Sequence, residues 1–390
     1  MLAPEQTADA SIDLLIQLSA VNDPRSRKIS CLYPLEELLL VGVAAVACGV
    51  EDWVTVSQWG NHRLAWLRKY LSFAHGIASH DTFSRVFGLL EAKHFEACFT
   101  RMMSHLCGSL DGHFLAIDGK SLRGSRHGDK AMAHLVSVRS TTAGLVLGQV
   151  RVAEKTNEIH AIPELIETLE LKGATVTMDA MGCQTRILNL LEAKQAQVIV
   201  ALKDNHITQS QAVEQLFERA DKDLSLALAI HTSLDKGHGR VEERSCMVIH
   251  DLTCIAEEFK AWPTIKSVVR MSATTHFLYG TKKGQSRQDV RYFIGTETLT
   301  AMAFSQHIRE HWHIENGLHW VLDVAFREDD CRIRAGDGAQ SFAILRRIVL
   351  NMLRTDRTNL KGGVKSRRMQ MGWDSENLAK LLGLPPYPPH

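Results

Sequence analysis

The order of strand-like and helical runs that begins after Gly112 is the feature that most limits how this chain can fold. Three strand-like runs come first, and helices then alternate with strands. The predicted strands are 113–117, 133–141, 145–152, 174–178 and 197–202, and the predicted helices are 157–171, 183–194 and 207–220. Because strand–helix–strand units pair their strands in parallel through right-handed crossovers, this order predicts an α/β fold.

The order βββαβαβα is the one found in ribonuclease H-like folds, and we divide the chain accordingly. We expect a helical N-terminal domain, a ribonuclease H-like core in two parts, a β-rich insertion between them, and a basic, Pro-rich tail. The boundaries are 1–108 for the N-terminal domain, 109–225 and 301–357 for the core, 226–300 for the insertion and 358–390 for the tail. Fold class alone assigns no chemistry.

The N-terminal segment carries apolar residues at helical spacing. In SHDTFSRVF, Ser79 or Asp81 is suited to cap a helix whose apolar face includes Phe83 and Val86. A short turn before a capped helix is compatible with a helix-turn-helix reader of DNA. A plain helical bundle is the alternative, and the lack of excess positive charge in this segment favours the bundle.

Charge and cysteine content narrow the class of protein. The net charge of +1 provides no global attraction to polyanions, yet residues 327–368 hold eleven Lys or Arg against five acids. The eight cysteines form no CxxC pair, which favours a reducing, cytosolic compartment. The N-terminus does not resemble a secretory signal, and the longest apolar run, 38–50, is too short to span a bilayer, so no membrane partner is expected.

Two aspartates each follow a predicted strand. Asp118 ends the apolar run FLAI, and Asp179 ends ATVTM just before a helix. Since ligands of α/β folds bind at the carboxyl ends of strands, the two carboxylates can meet at one edge of the sheet. The alternatives are a turn aspartate with a solvated basic loop for Asp118 and a helix N-cap for Asp179.

The stretch HWHIENGLHW, 311–320, is read as helical. His311, Glu315 and His319 are four residues apart and so project from one face, beside an apolar stripe that anchors the helix. A zinc site is the alternative, but two steps of four residues cover about 12 Å of a straight helix, too far for one tetrahedral ion. We predict that Trp312 and Trp320 belong to the core, with stacking on a displaced base as the alternative.

Two aspartates and a glutamate make an oxygen-only donor set. Such sites bind Mg²⁺ or Mn²⁺ rather than zinc. Two of these ions about 4 Å apart can activate the attacking oxygen and stabilise the leaving oxygen in phosphodiester displacement.

Several long phrases occur in an order that resembles the bacterial insertion-sequence DDE transposases, specifically the H-repeat-associated (ISAs-type) branch. They include YPLEELLLVGVAAVACGVEDW, AIDGKSLRGS, NEIHAIPELIETLELKGATVTMDAMGCQ, ALKDNH, GHGRVEER, HWHIENGLHWVLDVAFREDDCRIR and LRRIVLNML. The resemblance runs from about Asp23 to about Leu382.

The resemblance implies a ribonuclease H-like catalytic core, with catalytic and metal-binding roles for Asp118 in AIDGK, Asp179 in TMDAMG and Glu315 in HWHIEN. Many related transposases carry the signature Y-x2-R-x3-E-x6-K around this glutamate, but this chain has Ile308, His311 and Leu322 at the Tyr, Arg and Lys positions. Which residues replace the phosphate contacts of that Tyr, Arg and Lys therefore stays open.

The implied reaction is Mg²⁺- or Mn²⁺-dependent cleavage at element ends by water, followed by attack of the freed 3′-OH on target DNA. The implied partners are the terminal inverted repeats, target DNA and a second copy of the chain, in the cytoplasm at the nucleoid. A transposase-derived DNA-binding protein without transposition activity is the alternative. Candidate DNA contacts, each of which can also be ordinary solvated surface, are Lys120, Arg123, Arg240, Arg244, Lys282, Lys283, Arg309, His311, His319, Arg332 and Arg334.

Overall fold

The computed structural model describes residues 14–25, 31–126, 132–152, 158–223, 229–237, 239–279, 281, 283–356, 358 and 360–385. The N-terminal part is helical, as predicted. Its helices are α1 (Leu14–Ser19), α2 (Leu35–Ala47), α3 (Trp53–Leu67), α4 (His80–Leu89) and α5 (Ala92–Cys107). Ser79 caps α4, because its side chain accepts a hydrogen bond from the backbone N–H of Thr82 at 3.4 Å.

A nine-stranded sheet forms the centre of the described chain, in the order β3-β2-β1-β4-β5-β9-β8-β7-β6. Strands β1, β4 and β5 are parallel neighbours, and every other neighbouring pair is antiparallel. The strands are β1 (Phe114–Ser121), β2 (His134–Ser140), β3 (Val146–Val152), β4 (Thr175–Met178), β5 (Gln197–Leu202), β6 (Ala229–Gly237), β7 (Arg240–Ile249), β8 (Ser267–Phe277) and β9 (Ser286–Gly295).

The α/β fold and the order βββαβαβα are confirmed. The crossover helices are α6 (Glu158–Glu167), α7 (Thr185–Ala193) and α8 (Ile207–Lys222). The β-rich segment continues the core sheet, because β9 pairs with β5 from Ile199↔Gly295 to Leu202↔Tyr292. The sequence analysis gave no indication of this continuity, since strand runs alone do not reveal which edge they pair with.

One predicted strand end was wrong. We expected the first strand to stop at Asp118, but β1 continues to Ser121. Pairing with β4 stops at Ile117↔Met178, whereas pairing with β2 extends to Ser121↔His134. The antiparallel neighbour therefore holds Asp118 inside a strand, beyond the point where the parallel neighbour ends.

The C-terminal region is helical and covers one face of the sheet. Its elements are α9 (Ala301–Ile314), a π-helix (Glu315–His319), α10 (Trp320–Phe326), α11 (Gly338–Thr355), α12 (Val364–Trp373) and α13 (Ser375–Leu381). Helices α12 and α13 lie in the segment that we had described only as a basic, Pro-rich tail. They pack through Met371, Leu378 and Leu381, which are buried.

Apolar side chains fill both faces of the sheet. On one face, a single cluster joins α1–α5 to α10–α13 and includes Ala116 and Val146 of the sheet. On the other face, α6, α7 and α8 pack on Leu115, Ile117 and their neighbours. Because side chains alternate along a strand, Asp118 lies on the same face as Ala116, toward the C-terminal helices.

Within the described ranges, we find no helix that combines the length and the apolar character needed to cross a lipid bilayer.

Candidate active site

Strand register places Asp118 and Asp179 side by side. Ile117 and Met178 are the last Cα partners of the parallel pair β1 and β4, and the two aspartates are the next residues along the chain, Asp118 within β1 and Asp179 directly after β4. The side chain of Asp179 also caps the short 3-10 turn 180–182, accepting from the backbone N–H of Met181 at 3.0 Å. Asp179 is therefore both the N-cap of this turn and a neighbour of Asp118.

Glu315 is the first residue of the π-helix, which follows α9 without a break. The wide turn is shown by the backbone N–H of Trp320, which donates to the carbonyl of Glu315 five residues earlier. Our expectation of one continuous α-helix was wrong here. Ile314 and Leu318 are fully buried on either side of Glu315, whereas Glu315 itself is exposed.

The three carboxylates line one cavity of about 180 Å³. Lys203, Arg291, His311 and Trp312 are among the other residues around it. A volume of this size holds several water molecules, at about 30 Å³ each. The structure therefore brings the three predicted residues to a single small pocket at the carboxyl ends of the central strands β1 and β4.

Like charges meet in this pocket. The pKa of Asp118 is raised to about 7, chiefly by burial and also by the neighbouring carboxylates of Asp179, Glu158 and Glu315. The backbone N–H of Gly119, which donates to Asp118 Oδ1 at 2.9 Å, acts in the opposite direction. A site that resists ionisation in this way is one in which a bound cation would replace the proton.

The donor chemistry of the pocket fits a hard cation, since all three side chains offer only carboxylate oxygens. As they stand, no three or more His, Cys, Asp or Glu side chains among the described residues are arranged closely enough to hold a metal ion. The carboxylates share a pocket without converging on a point. Asp179 and Glu315 are exposed, so their side chains have room to turn toward an ion.

The two histidines beside Glu315 do not have the setting that we predicted for DNA contacts. His311 Nδ1 lies 3.1 Å from Thr177 Oγ1 on β4, and His319 Nδ1 lies 3.7 Å from Asp118 Oδ2. Burial lowers the pKa of His311 and lowers the pKa of His319 to about 3. His311 lines the pocket and His319 lies behind it, and because their pKa values are lowered, neither ring presents a positive charge to phosphate at pH 7.

Lys120 also differs from its predicted role as a phosphate contact. Its side chain is 9% exposed and pairs with Asp323, with Glu328 at 3.4 Å and with Asp329 at 3.7 Å. Its ammonium group is already surrounded by carboxylates within the protein. Lys120 thus belongs to a buried ion network next to the pocket rather than to the solvent-facing surface.

The other predicted DNA contacts are more accessible. Arg240, Arg309 and Arg123 are exposed while each pairs with one carboxylate, on Glu242, Asp235 and Asp329 respectively. Arg244 is partly buried between Asp235 and Glu242. Lys283, Arg332 and Arg334 are exposed, and Lys282 lies outside the described residues.

Sequence analysis missed Lys203 and Arg291, which line the pocket. Lys203 follows β5 directly. It lies two residues after Ala201 and four after Ile199, so it shares their face of the sheet, which packs toward α9. Arg291 lies two residues before Phe293, which is buried in the same cluster. The alternation of side chains along each strand places Lys203 and Arg291 on the pocket face. For Arg291, this could be recognised only once the pairing of β9 with β5 was known.

The prediction that Trp312 and Trp320 belong to the core was wrong. Trp312 is 40% exposed and Trp320 is 60% exposed. The guanidinium of Arg291 lies 4.7 Å from the ring centroid of Trp312, a cation–π contact at the pocket rim.

Comparison with known proteins gives results that agree with this geometry. A family model described as Transposase DDE domain matches residues 109–352, and one described as DDE_Tnp_1-associated matches residues 15–103. The "H repeat-associated putative transposase YhhI" of Escherichia coli K12 is 34% identical over 355 residues, covering 90% of this chain and 92% of that protein. The "Putative transposase YncI" of Escherichia coli O157:H7 is 35% identical over 377 residues, covering 95% and 94%.

A solved structure of a piggyBac transposase synaptic complex with hairpin DNA is also similar. It is 9% identical, with a TM-score of 0.45 over 95% of this chain and 78% of that one. So distant a likeness supports no argument about this protein. The family model and the relatives in Escherichia coli confirm the predicted resemblance, and the chain belongs to the DDE transposase family.

Proposed function

We propose that this protein cleaves phosphodiester bonds at the ends of an insertion sequence and joins the freed 3′-OH ends to target DNA. Asp118, Asp179 and Glu315 are the proposed catalytic residues. The observation that carries the proposal is the register of β1 and β4, which sets the two aspartates side by side in a pocket that Glu315 also lines.

The three carboxylates are the proposed ligands of Mg²⁺ or Mn²⁺. When bound, such ions would supply Lewis-acid activation of the attacking oxygen and stabilisation of the leaving oxygen. Asp118, whose pKa is raised to about 7 by burial, would give up its proton on binding the cation. Lys203 and Arg291 at the rim are suited to hold the flanking phosphates of the strand.

A face that carries four arginines, together with the acids Asp235, Glu242 and Asp289 that pair with three of them, leads from the pocket across the outer strands. Cross-strand partners share a face, and the register Ala273↔Asp289 and Arg244↔Ala273 places Arg244 on the face of Asp289 and Arg291. Arg240 on β7 and Arg287 on β9 lie four residues before Arg244 and Arg291, so they lie on the same face. We propose that this arginine face, defined as Arg240, Arg244, Arg287 and Arg291, contacts the DNA backbone beside the pocket.

The test is nicking of DNA that carries the inverted repeats flanking the gene, with Mg²⁺ or Mn²⁺. Asp118→Asn, Asp179→Asn and Glu315→Gln are expected to lower the nicking rate at least 10³-fold, as removal of residues that act as a unit does, while DNA binding is kept. Glu310→Gln is the matched control, since Glu310 lies on the same helix and pairs with His313 outside the pocket.

Two other outcomes of the nicking test would contradict the proposed function. DNA binding without nicking under either ion would favour a transposase-derived DNA-binding protein. Nicking that survives in all three variants would remove the proposed roles of these carboxylates. The homodimer expected at paired element ends stays a prediction, which sedimentation of the DNA-bound protein would check.

A further inference from the structure

Two arginines donate hydrogen bonds to backbone carbonyls on either side of Glu315, one at the end of α9 and one within the π turn. Arg139, on β2, is 8% exposed, and its Nη1 donates to the carbonyl of His313 at 3.0 Å. Arg354, near the end of α11, donates through Nη2 to the carbonyl of Gly317. The bonded carbonyls lie two residues before and two residues after Glu315.

Arg354 also connects the turn to the sheet. Its Nη1 donates to the carbonyl of Gly144, in the loop between β2 and β3. One guanidinium thus bridges the π turn and the end of the hairpin that pairs with β1. Since Asp118 lies on β1 opposite Ser137 of β2, the two arginines fix Glu315 to the strands that fix Asp118.

Gly317 is shaped to this contact. A Cβ at position 317 would lie 2.8 Å from Cζ and 2.8 Å from Nη2 of Arg139. The guanidinium therefore packs directly against the backbone of the turn, and any larger residue at position 317 would push it away.

Two buried guanidinium groups and a π turn each cost free energy relative to a regular, solvated helix. Burial lowers the pKa of Arg139 and lowers the pKa of Arg354 to about 10, so both remain charged at pH 7 with little solvent around them. A π turn also replaces the regular helical ladder with poorer geometry, and such turns occur often at functional sites. Side-chain donors inserted at the turn are a recognised way to hold such a departure in place.

We propose that Arg139 and Arg354 are positioning residues that hold the backbone around Glu315 in place, so that its carboxylate can turn toward a cation shared with Asp118 and Asp179. The proposal rests on the proposed role of Glu315 as a metal ligand. Lysine is not an adequate replacement, because an ammonium lacks the planar fork with which Arg354 reaches two carbonyls and the flat guanidinium that Arg139 packs against Gly317.

The test compares Arg139→Lys, Arg354→Lys and Gly317→Ala with the wild-type protein, without DNA. Mn²⁺ affinity is measured by electron paramagnetic resonance of the free ion, together with the spectrum of the bound ion. Amide hydrogen exchange over 311–320 is measured in metal-free protein. We expect Mn²⁺ binding at least about tenfold weaker in each variant, the range found for residues that orient ligands, and faster exchange across the turn.

Arg368→Lys is the matched control. Arg368 is 2% exposed and donates to the carbonyls of Val46 and Ala325, away from Glu315. Its replacement is expected to lower the melting temperature as much as the other two lysine variants do while Mn²⁺ affinity stays within about twofold of wild type, since no donor to the Glu315 turn is lost.

The outcomes separate this inference from the proposed function. If Glu315→Gln weakens Mn²⁺ binding but the two lysine variants and Gly317→Ala bind it like wild type, the positioning role is overturned and the role of Glu315 stands. If Glu315→Gln itself binds Mn²⁺ like wild type, the proposed function of Glu315 fails. Should the lysine variants not fold, Gly317→Ala decides, because it disturbs the contact with Arg139 while both buried guanidinium groups are kept.

Discussion

Lys120 and its three carboxylate neighbours show how a single charge next to the pocket contributes to the fold. Glu328 is fully buried and is shared by Lys120 and Arg347, whose Nη1 lies 2.8 Å from Glu328 Oε1. Lys120→Ala would leave Asp323 and Glu328 with one cation too few in a desolvated setting. We expect it to lower the free energy of unfolding by about 3 kcal/mol, measured by urea denaturation.

Arg123→Ala is the control for Lys120→Ala. Arg123 pairs with Asp329 of the same network but is 79% exposed, so its loss should cost less than about 0.5 kcal/mol. If Lys120→Ala kept full stability and lost only DNA affinity, Lys120 would be a phosphate contact after all.

Glu96 on α5 predicts a dependence of stability on pH. Glu96 is buried, and burial raises its pKa to about 8. Hydrogen bonds such as the one from Gln340 Nε2 to Glu96 Oε1 favour the charged form and partly offset this rise. The folded state therefore holds a proton that the unfolded state releases above about pH 4.5. The free energy of unfolding should fall as pH rises from about 5 to 8, by roughly a few kcal/mol at most.

Glu96→Gln removes this titration and keeps an oxygen for Gln340. Urea midpoints measured from pH 5 to 9 should decline less for the variant than for wild type, so that the two curves diverge with rising pH. Parallel curves would show that Glu96 is ionised in the folded protein.

The carboxylates at the pocket were predictable from local pattern. Asp118 and Asp179 each follow an apolar run, and Glu315 lies on a helix face beside an apolar stripe; all three line one pocket. The roles of His311, His319 and Lys120 were not predictable, since burial decides whether a basic side chain is charged and accessible. Sequence spacing carries no information on the atoms that cover a side chain.

At the scale of elements, the short turn Arg123–Ser125 packs closely on the turn Glu328–Asp330. A Cβ on Gly124 would overlap the carbonyl oxygen of Cys331 and lie 2.8 Å from that of Asp329. Backbone atoms cannot move aside as side chains do. We expect Gly124→Ala to lower the free energy of unfolding by about 2 kcal/mol or more, as measured by thermal denaturation.

Gly237→Ala is the matched control for this turn contact. A Cβ on Gly237 meets nothing within 4 Å, so its replacement should leave the melting temperature unchanged. Equal effects of the two substitutions would mean that the two turns do not pack as described.

Element types followed from periodicity, but two details of the elements that carry the site did not. The extension of β1 past Asp118 depends on its partner β2, which lies thirteen or more residues away in sequence. The π turn at Glu315 is flanked by hydrogen bonds from Arg139 and Arg354, which come from a different strand and a different helix. Both are set by tertiary contacts, which override local preference.

At the scale of the whole molecule, the N-terminal helices share one apolar core with the C-terminal helices. Phe83, Phe87 and Trp53 pack with Phe342 and Leu345 of α11 in a single cluster. The matched family segment 109–352 would expose this surface of α11 if it were made alone. We expect that segment to be insoluble or to bind a hydrophobic dye, whereas the full chain does not.

A segment 109–352 that is soluble and melts cooperatively would show that the shared core is not required for folding. The sequence allowed us to predict a helical N-terminal segment, but it gave no sign of this shared core. Apolar helix faces do not reveal which partner they bury against.

The central claim is that this pocket performs strand transfer on DNA, and the most direct measurement is the count of joined products. Pre-cleaved element-end DNA with a free 3′-OH would be incubated with a supercoiled plasmid, Mg²⁺ and the full protein, and covalent junctions would be counted by sequencing. The proposed function predicts junctions through the 3′-OH for wild type and at least 10³-fold fewer for Glu315→Gln. Bound ends with no junctions from the wild-type protein under Mg²⁺ or Mn²⁺, or equal numbers from both proteins, would contradict it.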